Sequence, residues 1–387
     1  MPNIVNPKRF VVFITFSLAE LEVLLPICSR LKQEYNAEIE FIFTVKKFYE
    51  EYQQNDFYRY CVEQIGIKVS LRRLPNKFDF RHLAIAKTRV GALAIKSFFF
   101  LEKQISFLRL KATLASADYF MHEISNQTKS TEFMYKMKEE GGGRQTIISY
   151  HHGSGILIGV KVKKEVKQAS EVIHLSFHAH NAEALELMGF RDLRVVGYTQ
   201  FYPEYIRLVN KYRESRSRAQ KYVLILSRHV HPFYMDDDKY EFLLRTTCQV
   251  VRKCLGDIRI VVKPHPRETL DRVQQIFSEM EIKNYEFSTE NPAVLAKEAM
   301  LSISYFGSSV LSALAMQVPA VEYFIEPRRF REAEVDGSWY KKFGVDSVET
   351  PEGLEAFIER VKRGEYKKPE IVEELSRQHS FEFFKTI

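Results

Sequence analysis

Apolar and polar positions follow two different patterns along this chain. Short apolar runs rich in β-branched and aromatic residues, such as "RFVVFITF" and "RIVVK", are typical of strands that are buried on both faces of a sheet. Between them lie longer segments whose apolar residues recur every three or four positions, which predicts helices. Strands that alternate with helices form parallel sheets through right-handed crossovers, so the pattern predicts an α/β protein.

The first half of the chain carries a series of predicted strands. They are residues 10–16, 39–44, 67–71, 119–122, 146–150, 172–176 and 194–196. Residues 81–115 predict a helix, and Ser17 and Glu20 have the spacing of a capping box that opens another. The turn between the first strand and this helix contains no glycine. Because dinucleotide-binding turns use glycines to cradle a phosphate, we expect no nucleotide to bind there in that manner.

The second half repeats the alternation more regularly. Its predicted strands are residues 222–227, 258–262, 285–288, 301–305 and 320–323, and its predicted helices are residues 238–254, 269–281, 292–299, 309–316, 351–363 and 370–384. Residues 200–220 are polar, aromatic and basic, which predicts a connection between two domains. A chain of 387 residues is long enough for two domains. We predict a Rossmann-like N-terminal domain at 1–205, a C-terminal domain at 218–365 and a C-terminal helix at 366–387.

Composition narrows the class of protein. Apolar residues make up 45% of the chain and charged residues 28%, as in a soluble globular protein. The four cysteines form no CxxC pair, so we expect a reduced, cytoplasmic protein without a disulfide or metal framework. No apolar run reaches the roughly 18 residues that a membrane-spanning helix needs. We expect the apolar run near the N-terminus to be a strand and not a signal peptide.

The net charge of +7 is concentrated in one segment. Residues 81–111 hold seven lysines and arginines against one glutamate, together with several phenylalanines and leucines. A basic amphipathic segment of this kind can lie on an anionic membrane surface, and it can equally be a helix packed on a sheet with its basic edge in solvent. No nucleic-acid-binding motif accompanies the charge, so we expect no nucleic-acid partner.

Polar and basic side chains follow several of the predicted strands. The loops that carry them are "HHGSG" at 151–155, "RHVHP" at 228–232, "KPHPRE" at 263–268 and "FGSSVLSALA" at 306–315. In open α/β sheets, ligands bind at the carboxyl ends of the strands. We therefore expect these four loops, with their five histidines, to share one edge and to form a binding site.

The loops "KPHPRE" and "FGSS" have the features of a phosphate site. Pro264 and Pro266 end the strand and stiffen the loop. Gly307 permits a tight turn or a close backbone approach, and Ser308 or Ser309 can cap the following helix, whose N–H groups suit a phosphate. The residues predicted to bind that phosphate are Lys263, His265, Arg267, Arg228, Gly307, Ser308 and Ser309. Lysine and arginine bring fixed charge, and histidine can donate a hydrogen bond or a proton to a phosphate oxygen.

The motifs "VVKPHPRE" and "SISYFGSSVLSALAMQVPAVEYF" together resemble the C-terminal half of bacterial GT-B glycosyltransferases of surface-polysaccharide synthesis. In the sialyltransferase, polysialyltransferase and Kdo-transferase branches, an HP motif and a Ser-Ser motif hold a cytidine-monophosphate sugar. The CDP-glycerol glycerophosphotransferases are similar and add an HG motif in the N-terminal half. The resemblance covers roughly residues 145–345 and implies two Rossmann-like domains facing each other across a cleft. It also implies that His265, Pro266, Ser308 and Ser309 contact the donor phosphate.

The residue that deprotonates the acceptor has two candidate positions. "KEEGGG" offers Glu139 and Glu140, which resemble the acidic pair of the sialyltransferases but precede the strand at 146–150 and also read as a helix end with a glycine cap. His151 and His152 follow that strand and match the HG motif. An imidazole can take a proton from a sugar hydroxyl at neutral pH. We expect His152 to be the base, with His151 as the alternative.

The resemblance favours one function and leaves two others open. We expect a glycosyltransferase that moves a sugar from a nucleotide-activated donor, a CMP-sugar by preference, to a surface-polysaccharide or lipid-linked saccharide acceptor. The alternatives are a CDP-glycerol or CDP-ribitol phosphotransferase and a non-hydrolysing sugar-nucleotide 2-epimerase. Glu322 is expected to reach a ribose hydroxyl. The acidic run "MDDD" at 235–238 reads as a helix N-terminus, so no metal or other cofactor is expected.

Overall fold

The structure is a computed structural model, and its described residues form two compact units. The described residues are 7–15, 17–72, 97, 100–101, 105, 108, 110–111, 113–124, 129–140, 143–151, 168–178, 181–215, 221–231, 235–265, 267–326, 338–367 and 381. Those up to Val196, with Phe381, form the first compact unit, and those from Gly197 to Lys367 form the second. The helix predicted at 366–387 lies almost entirely outside the described residues.

The first unit is built on a parallel sheet of seven strands in the order β3-β2-β1-β4-β5-β6-β7. The strands are β1 (Arg9–Ile14), β2 (Glu38–Phe43), β3 (Lys68–Leu71), β4 (Tyr119–Glu123), β5 (Thr146–Tyr150), β6 (Ile173–Ser176) and β7 (Asp192–Val195). Its helices are α1 (Ala19–Tyr35), α2 (Lys46–Gln54), α3 (Asp56–Ile65), α4 (Lys129–Glu140) and α5 (Ala182–Leu187). The central strands β1, β4 and β5 are almost wholly buried, as the apolar runs predict.

Helices α2 and α3 were not predicted from the sequence. Their segment contains no continuous apolar run, although Phe57, Cys61 and Ile65 of α3 recur at the spacing of one helix face. The boundary signals are nevertheless present, because the Asn55 side chain accepts a hydrogen bond from the Tyr58 N–H at 2.9 Å and Gly66 ends α3 with a φ of 77°. Buried residues such as Phe57 and Cys61 pack α3 into the interior of the first unit, beside α1.

The second unit is built on a parallel sheet of six strands in the order β10-β9-β8-β11-β12-β13. The strands are β8 (Tyr222–Leu226), β9 (Ile260–Lys263), β10 (Tyr285–Phe287), β11 (Ala299–Ser304), β12 (Ala320–Tyr323) and β13 (Asp346–Val348). Its helices are α6 (Pro203–Glu214), α7 (Asp237–Leu255), α8 (Leu270–Glu279), α9 (Pro292–Glu298), α10 (Val310–Ala315) and α11 (Pro351–Lys362). The α/β fold class with two parallel sheets is therefore confirmed.

The stretch at 200–220, which the sequence predicted as a connection, instead contains helix α6 of the second unit. Its aromatic residues are interior contacts, because Tyr205 and Tyr212 are buried. Their hydroxyl groups donate hydrogen bonds to Asn291 Oδ1 at 3.2 Å and to Glu290 Oε2 at 3.4 Å. The polar composition that suggested a linker belongs to the outer face of a packed helix.

Both sheets reverse their strand order beside their first strand. In the first unit the reversal lies between β1 and β4, and in the second it lies between β8 and β11. Ligands of open α/β sheets bind outside the carboxyl ends of the strands at such a point. The two reversals are therefore the expected positions of a ligand site.

None of the helices formed by described residues combines the length and hydropathy of a membrane-spanning segment.

Candidate functional site

Four neighbouring strands of the second unit end in the same row of the sheet. The pairing register aligns Lys263 of β9 with Leu226 of β8, Leu226 with Ser304 of β11, and Ser304 with Glu322 of β12. The loops "RHVHP", "KPHPRE" and "FGSS" therefore leave from one edge, on both sides of the reversal. The loop "HHGSG" follows β5 in the other sheet, so the prediction that all four loops share one edge was wrong.

Two histidines meet at this edge. The rings of His229 and His265 lie with their centroids 4.2 Å apart and their planes 32° apart. Burial lowers the pKa of His265 to about 3, and the neighbouring imidazole of His229 and the cations of Arg228, Arg267 and Lys263 add to the shift. Burial and nearby positive charge likewise lower the pKa of His229 to about 4. Both rings are therefore neutral at neutral pH while no anion is bound.

A backbone contact fixes the tautomer of His265. The Arg267 N–H donates a hydrogen bond to Nδ1 of His265 at 3.2 Å. In a neutral imidazole the other nitrogen then carries the hydrogen, so Nε2 is a donor. His265 is thereby prepared to donate a hydrogen bond to a phosphate oxygen. Lys263 is anchored nearby, since its Nζ donates to the Thr289 carbonyl at 3.3 Å.

Glu268 holds the His265 loop in place, a role that the sequence did not reveal. Its Oε2 accepts a hydrogen bond from the His265 N–H at 3.0 Å, and its Oε1 accepts from the Ser227 hydroxyl at 2.6 Å and from the Tyr240 hydroxyl. Burial raises the pKa of Glu268, and these hydrogen bonds oppose that shift. One carboxylate thus joins the end of β8, helix α7 and the loop after β9. The only sequence signal is an acidic residue that closes an otherwise basic loop.

The "FGSS" turn differs in detail from the prediction. Phe306, with a φ of 51°, is the left-handed residue, and Gly307 has no positive φ. A Cβ at Gly307 would lie 3.4 Å from Ser304 Oγ, which is close to an ordinary contact. The Cζ atom of Arg228 lies over the Phe306 ring, 5.7 Å from the ring centroid. This turn and the loop after β8 are therefore in contact across the reversal.

The serine cap expected in this turn is not formed by Ser309. Helix α10 begins at Val310 and contains six residues, and Ser309 makes no side-chain capping hydrogen bond. A helix this short has only a weak dipole. Ser308 and Ser309 are half-buried in the turn between β11 and α10. A phosphate role for them would therefore rest on individual hydrogen bonds and not on a helix terminus.

Glu322 lies beneath the turn. It is fully buried, and its Oε2 accepts a hydrogen bond from the Ser338 hydroxyl. Burial raises the pKa of Glu322 well above its ordinary value, and Arg228 and the Gly307 backbone oppose that shift. A carboxyl group with no exposed surface supports the Gly307 turn from inside. In this arrangement it presents no oxygen to a ribose hydroxyl.

In the first unit, Glu139 and Glu140, the alternative candidates for the general base, lie at the end of a helix. Glu140 pairs with Lys111 at 3.7 Å and with Lys136 at 3.6 Å. The Gly143 N–H, at a residue with a φ of 76°, donates to the Lys138 carbonyl at 2.8 Å. Glu139 and Glu140 are therefore the last residues of α4, before the amino end of β5. The interpretation of "KEEGGG" as a helix end with a glycine cap is confirmed. Likewise, the Asp236 side chain caps α7, as predicted for "MDDD".

His151 stands at the carboxyl end of β5 beside a buried row of polar side chains. That row crosses three adjacent strands, with His122 paired to Ser149 and Ser149 paired to His174. The Ser149 Oγ and His174 Nδ1 lie 2.8 Å apart, and the His151 ring lies edge-on to His174 with centroids 4.9 Å apart. Burial holds the pKa of His174 well below its ordinary value. The predicted residues His152 and Pro266 lie outside the described residues.

An internal carboxylate occupies the first turn of this sheet. Glu20 accepts hydrogen bonds from the Thr15 N–H at 2.9 Å, the Ser17 N–H at 3.1 Å and the Tyr150 hydroxyl at 2.8 Å. The bond from Ser17 is one half of the predicted capping box. The other half is not formed, because the Ser17 Oγ accepts from the Ala19 N–H at 3.2 Å and not from that of Glu20. The N–H groups of Thr15 and Ser17 are the kind that hold a phosphate in a dinucleotide-binding turn. Here the buried side chain of Glu20 already uses them.

Comparison with known proteins places this pair of sheets in a known fold. No protein-family model and no curated protein sequence matches the chain. Similar solved structures include the UDP-GlcNAc 2-epimerase of Methanocaldococcus jannaschii (11% identity, TM-score 0.56, 94% of this chain and 94% of that chain). UGT73P12 of Glycyrrhiza uralensis, complexed with glycyrrhetinic acid 3-O-monoglucuronide, is similar over 96% of this chain and 91% of that chain (11% identity, TM-score 0.54).

The chain has the GT-B fold. The E. coli heptosyltransferase WaaC with ADP is a further similar structure (13% identity, TM-score 0.50, 92% of this chain and 100% of that chain). Identities this low concern the fold alone. Within the GT-B fold of this chain, the second unit carries the basic loops and the first unit carries His151 and the polar row.

Proposed function

We propose that this GT-B protein is a glycosyltransferase that uses a nucleotide-activated sugar. The observation that carries the proposal is the edge of the second sheet, where two neutral imidazoles and three cations surround the strand reversal. Such a cluster suits the phosphate of a nucleotide. The cations are Arg228, Lys263 and Arg267. The heptosyltransferase WaaC, whose structure was solved with ADP, supports a nucleotide as the ligand class.

A cytidine nucleotide is the proposed donor base. The support is the resemblance of "KPHPRE" and "FGSS" to the HP and Ser-Ser motifs of transferases that use CMP-sugars. By this proposal, His265 and Arg267 contact the donor phosphate from one loop, and Ser308 and Ser309 contact it from the other. Arg228 lies between these loops, with its guanidinium over Phe306.

The proposed reaction is displacement at the anomeric carbon. An acceptor hydroxyl oxygen forms a bond to that carbon while the bond from the carbon to the donor phosphate oxygen breaks. The electron pair of the broken bond stays on the phosphate, which gains one negative charge. The Nε2–H of His265 and the cations of Lys263 and Arg267 stabilise that charge as it develops.

The acceptor proton is proposed to pass to a histidine after β5. His152 is the first choice and His151 the alternative, since both follow the carboxyl end of that strand. Glu139 and Glu140 would have to act from the other end of β5. Loss of turnover on substituting either glutamate, together with an active His152→Ala variant, would reverse this choice.

Two other functions remain as candidates. Similarity over nearly the whole chain to a UDP-GlcNAc 2-epimerase favours an epimerase as the second one. A CDP-glycerol or CDP-ribitol phosphotransferase would use similar loops but break a pyrophosphate. Conversion of a sugar nucleotide without an acceptor identifies the epimerase. Phosphate in the product of the acceptor reaction identifies the phosphotransferase.

A ligand screen followed by turnover tests the main proposal. Thermal unfolding of the full chain is measured with CMP, CDP, UDP, GDP and ADP, because a bound nucleotide stabilises the folded state in proportion to RT ln(1 + [L]/Kd). At a concentration of 100 Kd the gain is about 2.7 kcal/mol. We expect the largest shift with CMP, and transfer from a CMP-sugar to a saccharide. If no nucleotide shifts the transition, the proposal fails.

We also propose that an exposed helical face in the first unit contacts an anionic membrane that holds the acceptor. Leu101, Ile105 and Leu108 are helical, and their spacing places them on one face, where they are 59%, 39% and 65% exposed. Leu110 and Leu114 are buried, so the same segment is also packed on the unit. The support from charge is the excess of lysine and arginine within residues 81–111, most of which lie outside the described residues.

A further inference from the structure

His229 has no part in the chemistry proposed above, yet its ring lies against that of His265. The centroids are 4.2 Å apart and the planes are 32° apart, so the two imidazoles are in face contact. Two protonated rings at this distance would repel each other strongly. The pair can therefore hold one proton far more readily than two.

The groups that face the pair are mostly positive. They are Arg228 and His231 on the β8 loop, Lys263, Arg267 and Glu268 on the β9 loop, and Tyr240 on α7. The carboxylate of Glu268 is engaged by hydrogen bonds from the His265 N–H and two hydroxyl groups. With no anion present, burial and these cations hold the pKa of each ring far below its ordinary value, so neither ring is in its cationic, doubly protonated form at neutral pH.

A phosphate reverses this balance, because negative charge beside an imidazole favours its protonated form. We propose that His229 is a second imidazole of the phosphate site and that the His229–His265 pair takes up one proton when the phosphate binds. The inference rests on the proposed function for the identity of the anion. The proton comes from solvent and no covalent bond changes.

This uptake bears on the transfer reaction. A phosphodiester donor carries one negative charge on the phosphate, and the released nucleotide monophosphate carries nearly two. The proton that the imidazole pair takes up neutralises that second negative charge. Product should therefore bind with more proton uptake than donor, and its affinity should fall as the pH rises.

Calorimetric titration of the full chain measures the uptake directly. Sulfate and CMP are titrated at pH 6, 7 and 8 in buffers of different ionisation enthalpy, and the slope of the apparent enthalpy against that enthalpy gives the number of protons. Sulfate stays doubly negative throughout, so any proton must go to the protein. We expect about one proton per sulfate at pH 6, and an affinity that rises by up to tenfold for each pH unit as the pH falls.

Three variants assign the proton. His229→Asn should reduce the uptake to near zero and weaken sulfate binding more at pH 6 than at pH 8, because the Arg267 N–H occupies Nδ1 of His265 and leaves His229 as the ring that gains the proton. His265→Asn should weaken sulfate binding while the uptake at His229 persists. Glu349→Gln, a change at an exposed glutamate of the second unit, is the control. It should leave the uptake unchanged.

The outcomes separate this inference from the proposed function. If CMP and sulfate bind without proton uptake, or if His229→Asn leaves the uptake intact, the inference is wrong while the nucleotide site stands. If none of CMP, CDP, UDP, GDP, ADP and sulfate binds at any pH, the inference and the proposed function are both wrong.

Discussion

Glu268→Gln should weaken nucleotide binding by releasing the loop that carries His265. In the native side chain, Oε1 accepts hydrogen bonds from the Ser227 and Tyr240 hydroxyls, and Oε2 accepts from the His265 N–H. A glutamine can keep its carbonyl oxygen at the first position, but its amide NH₂ then faces the His265 N–H. A buried donor without an acceptor costs about 1–3 kcal/mol. For a unit of this size, each kcal/mol lowers the melting temperature by roughly 2–4 °C.

The assay compares CMP affinity and thermal unfolding of the Glu268→Gln variant with those of Glu349→Gln, a change at an exposed glutamate. If about half of the cost, roughly 0.5–1.5 kcal/mol, falls on the ligand-binding conformation, CMP affinity drops by roughly 2- to 13-fold. A double variant with His265→Ala tests whether Glu268 acts through His265, because its loss should then be no larger than that of His265→Ala alone. Native affinity in Glu268→Gln, or fully additive losses in the double variant, would refute the reasoning.

The remaining predictions use the same protein and standard assays. His265→Ala should lower kcat on the order of 100-fold or more, because its hydrogen bond strengthens as charge develops on the leaving phosphate; near-native turnover would exclude it from the site. His152→Ala should keep nucleotide-product binding but remove the acidic limb of the pH–rate profile, and loss of product binding would place it on the donor instead. Leu101→Ser with Leu108→Ser should reduce sedimentation with anionic vesicles at low salt, whereas the equally exposed control Leu187→Ser should not; equal sedimentation of both variants would leave no role for this face. His174 has a pKa below that of the unfolded chain, so the unfolding free energy should decrease as the pH falls below about 6.5, by up to about 1.4 kcal/mol per pH unit. The dependence should be weaker in His174→Asn, and an unchanged dependence would assign it to other groups.

The central strands of both sheets were predictable from the sequence because they are buried on both faces. Such strands must be continuous apolar runs, and each one predicted within the described residues was found, with ends shifted by at most two residues. Strand β13 (Asp346–Val348) is as short and half-buried as β10, but two of its three residues are polar, and it was missed. Helix α6 was missed because most of its outer face is polar, and the burial of Tyr205 and Tyr212 shows that it is packed.

The position of the second-unit loops was also predictable, but their internal geometry was not. Pro264 ends β9 as expected, and parallel pairing then brings the ends of β8, β9 and β11 to one edge. Contact between His229 and His265 depends on how two loops bend after different strands, which no local pattern encodes. The same holds for Glu268, whose partners come from three elements. The residue types indicated a phosphate site, but only the tertiary contacts show which of those residues lie together.

Both sheets reverse their strand order beside their first strand, and a ligand can bind at either reversal. Strand order therefore does not determine which unit binds the nucleotide. The difference lies in the side chains at the two reversals. In the first unit, the buried side chain of Glu20 takes the N–H groups of Thr15 and Ser17, so a phosphate would have to displace it. In the second unit, Arg228 and His229 stand after the first strand, with His265 beside them. A phosphate meets occupied N–H groups at one reversal and fixed positive charge at the other, and for that reason the proposed donor belongs to the second unit.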